Sequence, residues 1–115
     1  MSIHTDTDRI RVEQSTAHIR VTLDGEVLAD STRPLALHET GLPVRYYVPP
    51  QDVRTDLLQE SDTKTHCPWK GDATHWSAAG TADVAWSYPA AREPAREVEG
   101  HFSFYDERVR LEIDE

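Results

Sequence analysis

Five consecutive residues, His66-Cys67-Pro68-Trp69-Lys70, bring an imidazole, a thiol and an amine together, and Gly71 closes the run. A thiol attacks as its thiolate, which a neighbouring cation favours. His66 and Lys70 are the cations or proton carriers nearest to Cys67 in the chain. Pro68 and Gly71 shape the loop and let a ligand approach the backbone. If the segment is extended, His66 and Cys67 point to opposite faces, so a His–Cys pair needs a loop here or a base from elsewhere. The plain alternative is a tight turn with Cys67 packed as a small apolar residue. Cys67 is the single cysteine, so there is no internal disulfide, no four-Cys zinc site and no second thiol to resolve an oxidised one.

A second chemical grouping lies upstream. Glu39 and Arg45 bracket the turn at Gly41. They pair across it or reach a ligand, for which the planar fork of arginine suits carboxylate or phosphate. Tyr46, Trp69, Trp76, Trp86 and Tyr88 are a heavy aromatic load for a short chain. Most must be core, with one or two left to wall a pocket. The candidate ligand-binding set is therefore Glu39, Arg45, Tyr46, His66, Cys67, Lys70 and Trp86. In it Arg45 and Lys70 hold an anionic group, His66 and Glu39 carry protons, and Tyr46 and Trp86 form walls. No residue is assigned a catalytic role, and whether the chain is an enzyme stays open.

Other motifs are absent or bland. The dinucleotide glycine fingerprint, the phosphate loop, His-Glu-x-x-His and Gly-x-Ser-x-Gly do not occur. Asp6-Thr7-Asp8 reads as a solvated acidic tail. Asp52 and Asp56 share a face if 52–59 is helical, and Asp52 is then a helix cap rather than half of a carboxylate pair. The six histidines match no standard metal spacing. No metal or cofactor is expected.

Composition narrows the partners. The 115 residues hold 21 acids against 12 Lys and Arg, a net charge of −9. Nucleic acid and anionic membranes repel such a chain, and its bases are scattered. The apolar runs are far shorter than the roughly 20 residues of a membrane span. The opening Met1-Ser2-Ile3-His4 has no leader character, so a cytoplasmic, soluble protein is expected. The length fits one domain with a thin stability margin, and a homodimer would bury more apolar surface.

The elements that must position these groups are short strands. Alternation marks Ile10 to Val12, Ile19 to Leu23, Val44 to Val48, Thr74 to Ala78, Val84 to Tyr88, Phe102 to Phe104 and Val109 to Ile113. Asp24-Gly25 and Ala79-Gly80 are hairpin turns. A return strand over 26–30 with Val27 and Ala29 on one face, followed by Leu35 and Leu37, makes the opening third an antiparallel meander. Residues 61–65 read as a polar loop, 89–97 as a linker, and Asp106-Glu107 as a last hairpin turn. The expectation is a frayed tail over 1–8 and one all-β domain over 9–115, a sandwich or partly closed barrel with at most one or two short helical turns.

Five segments together carry a family resemblance: Arg45-Tyr46-Tyr47-Val48-Pro49, Asp52-Val53-Arg54, Thr65-His66-Cys67-Pro68-Trp69-Lys70-Gly71, Ala85-Trp86-Ser87-Tyr88-Pro89 and Gly100-His101-Phe102-Ser103-Phe104-Tyr105. In this order they resemble the bacterial family called domain of unknown function 427. The resemblance implies a small β-tent fold of antiparallel sheets, similar to that of methionine-(R)-sulfoxide reductases. Those relatives hold zinc through two cysteine pairs, which a chain with Cys67 alone does not have. A nucleotidyltransferase-like label has also been attached to the family, but the Gly-Ser loop and downstream acids of that chemistry are missing here. The expected function is binding of a small polar or anionic molecule. The alternative is a non-catalytic protein-interaction or homodimerising module.

Overall fold

A computed structural model describes residues 10–114. The proposed tail over 1–8, with Asp6-Thr7-Asp8, lies outside the described residues. The strands are β1 Ile10–Gln14, β2 His18–Leu23, β3 Glu26–Ser31, β4 Leu35–Glu39, β5 Arg45–Tyr47, β6 Gln59–Cys67, β7 Gly71–Ala78, β8 Thr81–Ser87, β9 Phe102–Phe104 and β10 Arg110–Asp114. They form three antiparallel sheets in the orders β1-β4-β5, β10-β2-β3 and β6-β7-β8-β9. The all-β expectation holds: there is no closed barrel, and the helical segments are 3-10 turns at Pro50–Asp52, Thr55–Leu57 and Glu93–Val98. No helix among the described residues is long and apolar enough to cross a membrane.

Beyond its edge strand β6, the four-stranded sheet is covered on both faces. One face packs Ala78, Ala85, Phe102 and Phe104 against Ile19 and Val21 of β2 and Leu28 and Ala29 of β3. The other packs Ala73, Trp86 and Tyr88 against Leu37 of β4, Tyr47 of β5 and Ala95 and Val98 of the last 3-10 segment. A single bridge, Val48 to Phe102, ties the β5 end to β9. The predicted turns form as their residues dictate. Asp24 and Gly25 have φ of 52° and 81°, and Ala79 and Gly80 have φ of 51° and 78°, the left-handed pair that two-residue hairpins need.

Five expectations are corrected. The opening third is not a meander, because β1 pairs with β4 while β2 and β3 pair with each other. The pairing of β2 with β3 shifts between Val21 and Thr22, so Leu28 is an extra residue and is buried beside Ala29; a bulge breaks strict alternation in this way. Residues 61–65 belong to the edge strand β6 rather than to a loop. Asp106-Glu107 does not close a hairpin, since β10 crosses to pair with β2. The 52–59 stretch is also not one helix. Val53 bridges Ala29 and splits it, leaving Asp52 bound to Arg33 and Ser31 and Asp56 bound to Arg54.

Candidate functional site

Sheet register brings the two chemical groupings together. On β4, Leu35, Leu37 and Glu39 alternate onto one face, and their partners on β5 are Tyr47 for Leu35 and Arg45 for Leu37. On the facing sheet Thr65 pairs with Ala73, and His75 pairs with Trp86. Between the sheets lies a cavity of about 250 Å³, lined by Glu39, Arg45, Tyr47, Thr65, Lys70, His75, Trp86, Tyr88 and Tyr105 with Leu37, Leu42, Pro43 and Ala73.

Lys70 reaches this space because of its hairpin. Cys67 and Gly71 are paired, the Lys70 amide donates to the Cys67 carbonyl at 3.2 Å, and the Arg92 amide donates to the Lys70 carbonyl at 2.8 Å. Gly71 has φ of 118°, and a Cβ there would stand 3.1 Å from the Ala90 carbonyl oxygen. Glycine is therefore required at the point where the chain turns into β7. Lys70 Nζ donates to Glu39 Oε1, and the two side chains are only 11% and 8% exposed. The expected Glu39–Arg45 pair does not form. Instead the exposed Arg45 guanidinium lies 5.5 Å from the centroid of the Trp86 ring, a cation–π arrangement. It has no carboxylate partner among the described residues.

The aromatic wall is held by its own contacts. Trp86 Nε1 donates to the Tyr47 hydroxyl at 3.1 Å, and the two rings meet edge to face at 6.2 Å. Tyr105 lies 4.4 Å from Trp86 and is stacked at 6.1 Å on His75. Burial pushes the Tyr47 hydroxyl up to about 12 and raises Tyr88 and Tyr105 as well. All three stay protonated donors at neutral pH. His75 is 4% exposed; its Nε2 shares a hydrogen bond of 2.9 Å with Thr65 Oγ1, and its buried Nδ1 has no partner among the described residues. Desolvation, reinforced by Lys64 and Arg108 and opposed by Asp83, lowers its pKa and keeps the ring neutral.

Of the seven residues expected at the site, Glu39, Arg45, Lys70 and Trp86 line the cavity, and Tyr46, His66 and Cys67 do not. Tyr46 packs half-buried against the opposite core. Because 66 and 67 are in a strand, His66 faces out, with Nδ1 2.6 Å from Asp72 on the β6–β7 rim. Cys67 turns inward, half-buried against the core beneath the cavity. His66 and Cys67 therefore form no catalytic pair. Sequence reasoning missed Thr65, His75, Tyr47, Tyr88 and Tyr105. A signal for them exists: Ala73 to Ala79 and Val84 to Ala91 carry no Asp, Glu, Lys or Arg, as strands covered on both faces should.

Among the described residues no cluster of three or more His, Cys, Asp or Glu could hold a metal ion. What the cavity offers is one unpaired cation, one neutralised ion pair, a neutral histidine and a set of phenol donors between aromatic walls. No curated protein matches the chain. A family model spans nearly all of it, residues 11–115, and the chain belongs to that family, described as Domain of unknown function (DUF427).

Proposed function

We propose that this protein binds a small anionic ligand in the cavity between β4–β5 and β6–β7–β8, with Arg45 as the group that holds its charge. One observation carries the reading. In a chain of net charge −9, the cavity holds two cations and one carboxylate, and Glu39 already neutralises Lys70. Arg45 is left without a carboxylate and lies on the Trp86 ring. A guanidinium so placed offers its fork to a planar anion. The lone, half-buried Cys67 suits a cytoplasmic setting. The alternative of an interaction module has less support. The aromatic rings Tyr47, Trp86 and Tyr88 are buried in the core, and the exposed large apolar residues among the described residues are Leu42, Val44 and Ile113.

The test is thermal-shift screening of small carboxylates and phosphates at low ionic strength, with wild type and Arg45→Ala side by side. Ligands of this site raise the Tm of the wild type and leave that of Arg45→Ala unmoved. Anions that stabilise both proteins equally refute the role of Arg45.

A further inference from the structure

The inner wall of the cavity has hydrogen-bonding capacity that the protein leaves unused. His75 is 4% exposed and lines the cavity, yet its Nδ1 has no partner among the described residues. A buried polar atom without a partner costs stability and calls for an explanation. The other ring nitrogen is engaged, with Thr65 Oγ1 at 2.9 Å. When the Thr65 hydroxyl donates to Nε2, a neutral His75 carries its proton on Nδ1. That N–H then lacks an acceptor. The Tyr88 side chain lines the same cavity. The wall thus presents a donor awaiting an acceptor, while Arg45, without a carboxylate partner among the described residues, is at the exposed rim.

The charge state of the acceptor follows from the same surroundings. Around His75 the lining groups are neutral, the phenols of Tyr47, Tyr88 and Tyr105 stay protonated through burial, and the Glu39 and Lys70 charges already cancel each other, so this part of the wall disfavours a further unpaired charge. An ion is accommodated at the rim and a neutral acceptor within. Resting on the reading of the cavity as an anion site, we propose that its ligand is a small carboxylic acid that also carries a ketone or amide carbonyl, with the carboxylate on Arg45 and the carbonyl oxygen accepting a hydrogen bond from His75 Nδ1–H. Thr65 is a positioning residue that holds the ring by its Nε2. Leu37 and the ring of Trp86 enclose the carbon chain between the two polar ends.

The experiment compares acids that differ only in the ketone: pyruvate against propionate, and 4-oxopentanoate against pentanoate. Affinities are measured by calorimetry on wild type, Arg45→Ala, His75→Phe and Thr65→Val, and the His75 ring nitrogens are followed by ¹⁵N NMR. At least one oxo acid should bind the wild type about tenfold more tightly than its parent acid, the scale set by leaving a buried donor unpaired. His75→Phe should erase that preference, and the Nδ1 resonance should move with the oxo acid alone. If His75→Phe does not fold, the wild-type resonances still decide. Equal affinity for oxo and parent acids, with binding still lost in Arg45→Ala, overturns the carbonyl proposal and leaves the anion site standing. Absence of Arg45-dependent binding by every acid overturns both.

Discussion

The two faces of the four-stranded sheet are made by the same strands and treat a tryptophan differently. On the β2–β3 side, Trp76 gives its Nε1 to Ser87 Oγ at 3.0 Å, and its ring packs 5.5 Å from Phe102 over an apolar core. On the β4–β5 side, Trp86 gives its Nε1 to the Tyr47 hydroxyl but leaves a ring face to Arg45, above a cavity that also holds Glu39, Lys70 and His75. The first face shows that this chain can close a sheet with apolar packing and no charged group in its core. A buried ion pair adds little net stability over apolar packing, and an unpartnered histidine nitrogen subtracts from it. The polar groups of the second face are therefore not what folding requires, and their placement points to use.

The comparison predicts a division of labour. Phe104→Ala, on the apolar face, should cost about 3–5 kcal/mol of stability by removing a buried ring, since Phe104 is 4% exposed. Urea unfolding reads the loss, and ligand affinity of the remaining folded protein should be unchanged. A drop in affinity as large as that of Arg45→Ala would mean the faces are not independent.

Next in size is the ion pair. Glu39→Ala leaves Lys70 buried and unpaired, which should cost about 3 kcal/mol, the low end for a broken buried pair, because Lys70 keeps some access to water. The double variant Glu39→Leu with Lys70→Met should recover most of the stability, the usual outcome when packing replaces both charges. Failure to recover would show that the pair holds the β4 end to the β6–β7 hairpin. Gly71→Ala should follow at roughly 2 kcal/mol, since alanine is strained at positive φ and meets the Ala90 carbonyl. A neutral result in thermal unfolding would mean that the hairpin relaxes without strain.

How much of this was legible before the structure differs between fold and site. Turn chemistry and period-two patterns marked β2, β5, β7 and β8, since Asp24-Gly25 and Ala79-Gly80 demand a specific backbone and Val21 or Trp86 demand cover. Pairing between distant strands was not legible. No local signal says that β10 skips β9 for β2, and β6 carries no apolar stripe because it is an edge with both faces mostly wet. Leu28 was hidden by a bulge, which alternation cannot register. At the site, the cationic and acidic groups of Glu39, Arg45 and Lys70 were found from their charge. His75 is hidden because it alternates with Trp76: period-two alternation points to one core face, whereas β7 has a core on each side. His66 and Cys67 attracted attention by chemistry alone, and the strand geometry of β6 separates them.

The smallest expected effect sharpens the same contrast through pH. Desolvation in the cavity wall holds His75 below its ordinary 6.5. In the unfolded chain the ring titrates near its ordinary value, so in mild acid the unfolded state binds more protons than the folded one. Stability contributed by a neutral His75 is then fully present above that value and is lost as pH falls through it and below. Replacing the ring by phenylalanine removes the proton uptake and keeps most of the stack on Tyr105. Unfolding free energies from about pH 7 to about pH 5 should therefore fall less steeply for His75→Phe than for wild type, as carboxylate contributions cancel in the difference. Phe104→Ala should lower the whole curve without changing its slope, because the side chain removed does not titrate and belongs to an apolar cluster. Parallel curves for wild type and His75→Phe would mean that His75 is hydrated in the folded protein, and the distinction between a dry apolar face and a polar but equally dry one would fail with it.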